Sequence, residues 1–367
     1  MGPFPHDAPP AKISAENPAG TDGFEFVEFV HPESGMLEAF FEQMGFTLVA
    51  RHKSRAIALY RQGEVNYVLN ADRESFGGRF AGLHGPSAPA MAWRVVDAKH
   101  AFAYALEHGA QPYNGENGAK TIDAPAILGI GGSLIYFIDT FGAKGSPYDA
   151  EFDWVYERDP IPAGRGLFYI DHLTNNVFRG AMDRWYRFYQ NLFNFRQIRF
   201  FEISGKFTGL YSRALTSPCG KIRIPLNESA DDKSQIEEFL HQYKGEGIQH
   251  IACGCKDIYA SVKRLRANGL PFMPPPPDTY FRRIAARLPG HEEPLELLRE
   301  SGILIDGEVV EGAAPKLLLQ IFSKTLIGPI FFEFIQRKGD EGFGEGNFKA
   351  LFESIEADQI ERGVLRA

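Results

Sequence analysis

The chain reads as an α+β protein: two tandem βαβββ repeats, each curled into a half-barrel, with a C-terminal helix closing the second. Three observations predict this. Apolar runs of strand length alternate with amphipathic helices, and the same order occurs twice. A helix start and stop, Asp97 and Gly109, return 160 residues later as Asp257 and Gly269. Finally, the last strand-like run, Ile330–Arg337, carries one carboxylate, Glu333, among Phe331, Phe332, Phe334 and Ile335. Such a group is strongly disfavoured unless it is paired, protonated or bound to a metal.

The elements follow in order. Residues 1–22 are Pro- and Ala-rich and polar, without the charged start and apolar core of a signal peptide, and read as a disordered tail. The first domain, 23–155, opens with a strand at Phe24–Phe29 and a helix at Gly35–Met44. Strands at Thr47–His52, Ala56–Arg61, Val65–Asn70 and Ala90–Val96 come next. Asp97–His108 puts Ala98, Ala101, Phe102, Ala105 and Leu106 on one helical face, and Gly109 stops it. Leu134–Asp139 is the last strand of this half. Residues 156–166 (YERDPIPAGRG) form a polar linker.

The second domain, 167–345, repeats the order: strand Leu167–Leu173, helix Ala181–Phe193, strands Arg199–Ile203, Thr208–Leu215, Lys221–Leu226 and Gly247–Gly254, helix Asp257–Asn268. An extra segment, Pro271–Lys316, includes Pro274–Pro277 and a helix near Glu293–Ser301. Strands Leu317–Ser323 and Ile330–Arg337 are joined by a Gly328-Pro329 turn. A Gly-rich loop then precedes a helix within 346–367.

Composition narrows the function. The 367 residues are 44% hydrophobic and 23% charged with net charge −8, ordinary for a soluble globular protein. No basic run points to nucleic acid, and no apolar run of membrane-spanning length occurs. Three cysteines cannot build a disulfide framework, which fits a reducing, cytoplasmic setting.

His172 and His250 lie on strands of the second half that correspond to the one bearing Glu333. Two imidazoles and a carboxylate on one inner face make the facial triad of non-haem Fe(II) sites that use O₂. The positions aligned with them in the first half, Phe29, Ala90 and Tyr136, cannot replace them. The alternative for Glu333 is a pair with Arg337. Strand parity sends Cys253 and Cys255 away from His250, so the thiols read as packing. Gln249, Ser212, Asn227, Gln235 and Gln320, with Phe322 and Phe331, suit a pocket for an aromatic ligand bearing a phenol or carboxylate. Phe343 and Phe348 flank the C-terminal helix and read as an apolar gate. LGIGGS at 128–133 and GFGEG at 342–346 lack the strand–loop–helix setting of phosphate loops.

The segments GEGIQH, IRIPLNE, PPDTYF, LLLQIFS, GPIFFEFIQRKGD and GFGEGNFKALFESIE together resemble bacterial 4-hydroxyphenylpyruvate dioxygenases, from about Gly23 to the C-terminus. The resemblance implies a tandem vicinal-oxygen-chelate (glyoxalase-like) fold with Fe(II) on His172, His250 and Glu333. It places substrate contacts on Ser212, Asn227, Gln235, Gln249, Gln320, Phe322, Phe331, Phe343 and Phe348. Of these, Gln249, Gln320, Asn227 and Ser212 are expected nearest the chemistry. The implied reaction turns 4-hydroxyphenylpyruvate and O₂ into homogentisate and CO₂ by oxidative decarboxylation, ring hydroxylation and side-chain migration, a step of tyrosine catabolism. The substrate carries its own 2-oxo acid. Hydroxymandelate synthase shares fold and substrate and is the alternative; the Pro225-Leu226-Asn227 segment and Phe343 favour the ring-hydroxylating member. A non-catalytic aromatic-ligand-binding protein of this fold is the second alternative. A homodimer or homotetramer is expected, with the acidic first half at the interface.

Overall fold

The computed structural model describes residues 8–33, 35–157, 160–204, 208–344, 346–347, 349, 360 and 363. Two eight-stranded sheets hold the described strands. The first sheet takes β1 (Thr21–Val30), β2 (Thr47–His52), β3 (Ile57–Gln62), β4 (Val65–Asn70), β5 (Ser87–Val95), β6 (Ala126–Leu128), β7 (Leu134–Ile138) and β8 (Phe152–Trp154). The second takes β9 (Leu167–Val177), β10 (Arg196–Ser204), β11 (Gly209–Thr216), β12 (Arg223–Ser229), β13 (Gly247–Cys255), β14 (Leu304–Glu308), β15 (Lys316–Phe322) and β16 (Phe331–Lys338). Helices α1 (Met36–Gln43), α2 (Phe76–His84) and α3 (Ala98–Glu107) belong to the first half. The second has α4 (Met182–Phe193), α5 (Gln235–Tyr243), α6 (Ile258–Ala267), α7 (Asp278–Arg282), α8 (Ile284–Arg287) and α9 (Leu295–Ser301).

The strand orders are β6-β7-β5-β1-β4-β3-β2-β8 and β10-β11-β12-β9-β13-β16-β15-β14. Reversing one superposes β1 on β9, β5 on β13 and β7 on β16. Each sheet thus contains the strand–helix–strands run twice, and the opening strands of the two runs pair antiparallel at its middle. The curled, two-sheet α+β architecture is the one expected, with the repeat nested one level deeper. The helix stops at Gly109 and Gly269, both at positive φ, match as the spacing predicts. Asp97 and Asp257 both cap: each side chain accepts from a backbone N–H three residues on, His100 and Ala260.

The structure departs from the expected elements in four places. Of the 1–22 tail, only 8–22 is described, and it is not all loose. β1 already begins at Thr21, and Asn17 is buried with its amide bonded to the Thr21 backbone on both sides, 3.0 Å each. Phe76–His84 and Gln235–Tyr243 are helices that sequence patterning did not flag; Ser75 caps the first through Gly78 N–H. Residues 271–316 add β14 to the edge of the second sheet as well as three short helices. The expected helix within 346–367 lies mostly outside the described residues.

The two halves share one aromatic core. Phe332, on β16, points away from the second sheet's inner face and packs against Phe40, Tyr67 and Phe29 of the first half, with ring centroids 5.4, 6.1 and 6.2 Å apart. Gly328, at φ 56, turns β15 into β16 and lies against Pro86 of the first half; a Cβ there would meet the Pro86 carbonyl at 2.8 Å. The strand carrying Glu333 is therefore clamped from behind.

Candidate metal centre

His172, His250 and Glu333 come from β9, β13 and β16, three adjacent strands. Register explains why they meet. His172 and Glu333 both stand opposite Ala252, while His250 is two residues along the same strand, opposite Thr174 and Phe331. The small Ala252 leaves the middle of the triangle clear. Nε2 of His172 is 3.1 Å from Glu333 Oε2, Nε2 of His250 is 3.4 Å from that oxygen, and the two nitrogens are 3.3 Å apart. Ligands about 2.1 Å from one octahedral ion stand about 3.0 Å apart at neighbouring corners. The three atoms thus match one face of an octahedron.

The surroundings aim each donor. His172 gives its Nδ1 hydrogen to Asp171 Oδ1 at 2.8 Å, so Nε2 keeps a lone pair for the centre. Gln320 Nε2 donates to Glu333 Oε1 at 2.7 Å, which leaves Oε2 facing the imidazoles. His250 stacks on Phe331, centroids 4.8 Å apart, and Thr174 Oγ1 lies 2.9 Å from its Nε2. All three donors are buried. Burial pushes the Glu333 carboxyl up, yet the two imidazoles outweigh it and hold it down, to about 2. Burial pushes the His250 ring down, and Glu333 only partly offsets this. For His172, burial is overcome by Glu333 and Asp171, and the ring is more basic than usual. An anionic oxygen and two buried imidazole nitrogens fit a divalent cation of intermediate hardness.

A small cavity opens from the triangle. His172, His250, Glu333, Ser212, Gln320, Phe322 and Phe343 line it. Asn227 stands opposite Ser212 on the next strand. Ser212 Oγ and Asn227 Oδ1 are both buried with no hydrogen-bond partner among the described residues. Ser212 lines the cavity and Asn227 stands beside it, and two neighbouring polar atoms without a partner among the described residues are what a polar ligand group would satisfy. Gln235 and Gln249 do not line the cavity; they hold each other, Gln249 Nε2 donating to Gln235 Oε1 at 2.6 Å. Gln249 is the extra residue of a bulge between Ile248 and His250. Phe331 acts behind His250, and Phe348 lies outside the described residues.

Thr174, Phe201, Ala214 and Pro225 also line the cavity. Thr174 shares the parity of His172, and Pro225 faces Ala214 across β11–β12, so alternation carried a signal for both. Arg337 does not pair with Glu333. It takes Asp171 instead, with Nε and Nη2 at 2.7 and 2.8 Å from its oxygens. The first-half position matching His172 is Phe26, not Phe29: Phe26 stands opposite Ala92 as His172 stands opposite Ala252. The shift between Phe24 and Phe26 has its counterpart between Ile170 and His172, so cross-strand pairing fixes the match where counting along the sequence does not. Cys253 lies 3.1 Å from the Tyr67 hydroxyl and Cys255 bonds the Ile335 carbonyl; burial pushes the Cys253 thiol up to about 12.

Residues 15–153 match the family model described as hydroxyphenylpyruvate dioxygenase, HPPD, N-terminal. Residues 169–295 match that of the glyoxalase/bleomycin resistance protein/dioxygenase superfamily. A 4-hydroxyphenylpyruvate dioxygenase of Pseudomonas aeruginosa is 54% identical over 97% of this chain and 99% of its own. Among solved structures, a xylose isomerase-like TIM barrel/4-hydroxyphenylpyruvate dioxygenase fusion protein superposes with TM-score 0.78 at 32% identity, over 95% of this chain and 54% of that one. A mutant of 4-hydroxymandelate synthase from Streptomyces coelicolor superposes with TM-score 0.77 at 24% identity, over 92% and 99%, a likeness of fold alone.

Proposed function

The chain belongs to the 4-hydroxyphenylpyruvate dioxygenase family, and on that premise we propose that His172, His250 and Glu333 hold its catalytic metal as ferrous iron. The enzyme oxidises 4-hydroxyphenylpyruvate with O₂ to homogentisate and CO₂. Iron would supply the O₂ activation and the chelation of the 2-oxo acid.

The protein's own groups do the rest. Gln320 holds the far oxygen of Glu333 and so fixes which oxygen faces the centre. Phe322 and Phe343, with Phe331 behind His250, give the substrate ring an apolar sleeve that excludes water from oxidising species. Ser212 and Asn227 offer the phenol its hydrogen bonds. Gln249 and Gln235, already joined, are a second polar pair that reorients to reach the substrate. The observation that carries this reading is the triangle of donors opening onto a cavity that holds a Ser212 hydroxyl without a partner among the described residues.

The test is O₂ uptake by the Fe(II)-loaded enzyme with 4-hydroxyphenylpyruvate, the product being separated by chromatography. Homogentisate is expected. Hydroxymandelate would overturn the assignment in favour of benzylic hydroxylation, and absence of O₂ uptake would point to a binding protein. No helix among the described residues is long and apolar enough to cross a membrane. The three free thiols fit a cytoplasmic location. A homodimer or homotetramer is the expected assembly; sedimentation at micromolar concentration giving only monomer would refute it.

A further inference from the structure

Asp171 is buried beside the metal centre without reaching it, and it collects an unusual number of donors. Its Oδ1 accepts from His172 Nδ1 and from Arg337 Nη2, both at 2.8 Å. Its Oδ2 accepts from Arg337 Nε at 2.7 Å and from the Tyr169 hydroxyl at 2.9 Å. Arg223 of β12 stands 3.6 Å away and also pairs with Glu341. The Tyr169 ring reaches this place because Gly254 lies beneath it; a Cβ there would come within 1.7 Å of the ring.

Arg337 is not used up by the carboxylate. Its Nη1 donates to the carbonyls of Gly342 and Asp340, at 2.7 and 3.1 Å. Those residues flank the turn that delivers Phe343. The Phe343 ring lies edge-on to His172, centroids 5.2 Å apart, and 6.0 Å from the Arg337 guanidinium carbon. Arg337 also shares β16 and its inward face with Glu333, four residues earlier. One planar guanidinium thus touches the partner of one metal ligand, the strand of another and the loop that covers both.

We propose that Asp171 and Arg337 are a positioning pair that sets the His172 ring for the metal and couples metal binding to the placement of the 340–343 loop. The inference rests on the metal site proposed above. The first half supplies a contrast. The position matching Asp171 is Glu25, also buried and bound to an arginine, Arg94 at 2.7 Å. Arg94 lies on β5, whereas Arg337 lies on the strand matching β7, and Phe26 follows Glu25 where His172 follows Asp171. A buried acid bound to an arginine at this point suits the fold, and Arg94 too lies over a ring beyond the next strand, Phe141 at 5.3 Å; among the described residues, the acid that bonds an imidazole and whose arginine bonds the carbonyls of the following loop is the one in the second half.

The test titrates apo-protein with Co(II), read by its visible ligand-field absorption and by competition with a chromophoric chelator. Thermal melting of each apo-variant checks folding. Asp171→Asn is expected to bind Co(II) about 10–100-fold more weakly, with an altered spectrum. Hydrogen exchange in peptides spanning 339–344 is expected to slow when Co(II) binds the parent. In Arg337→Lys, which keeps a charge against Asp171 but loses the fork, that slowing is expected to disappear. Parent-like Co(II) affinity and spectrum in Asp171→Asn, or an unchanged exchange response in Arg337→Lys, would overturn the pair's role. Failure of the parent itself to take up Co(II) would instead sink the metal site, and this inference with it.

Discussion

Ser212 illustrates how a single side chain separates folding from function. Its hydroxyl is buried and has no hydrogen-bond partner among the described residues, so their packing gains no bond from it. Ser212→Ala should leave the melting temperature unchanged or slightly raised, within about 0.5 kcal/mol. The KM for 4-hydroxyphenylpyruvate should rise roughly 10-fold, equivalent to about 1.4 kcal/mol. Steady-state kinetics beside thermal melting of the same preparation check both halves of this prediction. Glu333→Gln tests the opposite class of residue: loss of the one anionic donor should cost at least about 100-fold in Co(II) affinity, read by chelator competition. Glu333 was legible in the sequence because a carboxylate among four apolar neighbours needs a partner. Asp171 was not, although it precedes a ligand, because its partner Arg337 is 166 residues away and nothing local signals the pairing.

At the scale of elements, β16 serves two faces. Glu333, Ile335 and Arg337 alternate with Phe332 and Phe334, so one side builds the centre while the other meets the first half. Phe332→Ala should destabilise the protein by about 3–5 kcal/mol, measured by denaturant unfolding, because the ring fills an aromatic cluster drawn from both halves. If the loss is under about 1 kcal/mol, the contact between halves is looser than the ring distances indicate. Strand identity and most strand bounds were readable from alternation and β-branched or aromatic content; β4, for example, falls at Val65–Asn70 as expected. The bulges were not. Gln249 and the Phe24/Phe26 irregularity change which face a residue meets, and they depend on cross-strand pairing rather than on local sequence. Gln235–Tyr243 escaped notice although, at nine residues, it is longer than α1, which was expected.

Over the whole molecule, duplication leaves the first half with a counterpart of the centre that has been filled in. Glu28, matching Thr174, is fully buried there; it accepts from Asn70 Nδ2 at 2.7 Å and Thr121 Oγ1 at 2.6 Å, and the Tyr136 hydroxyl accepts from the same Thr121 through its N–H at 3.0 Å. Burial raises the Glu28 carboxyl above its ordinary value, with the bonds from Thr121 and Asn70 and the charge of Arg55 only partly opposing it. A carboxyl raised on folding stabilises fully below its unfolded value, and that contribution fades as pH climbs through the folded one. Glu28→Gln should therefore melt progressively above the parent as pH goes from 5 to 8; a constant offset would show that Glu28 is not the source. The 160-residue offset made the duplication visible, while the fate of the spare site was hidden in side chains that only packing brings together. In the working half, the donor triangle stands ready-made on three hydrogen-bonded strands, with edges of 3.1 to 3.4 Å. Such a rigid seat has little means of turning away the wrong guest, since zinc, cobalt and nickel all accept nitrogen and carboxylate corners of that size and bind such sets at least as avidly as ferrous iron. Which ion the protein carries is then decided by cellular supply, and with iron as the proposed metal a preparation starved of it would be folded, loaded and silent.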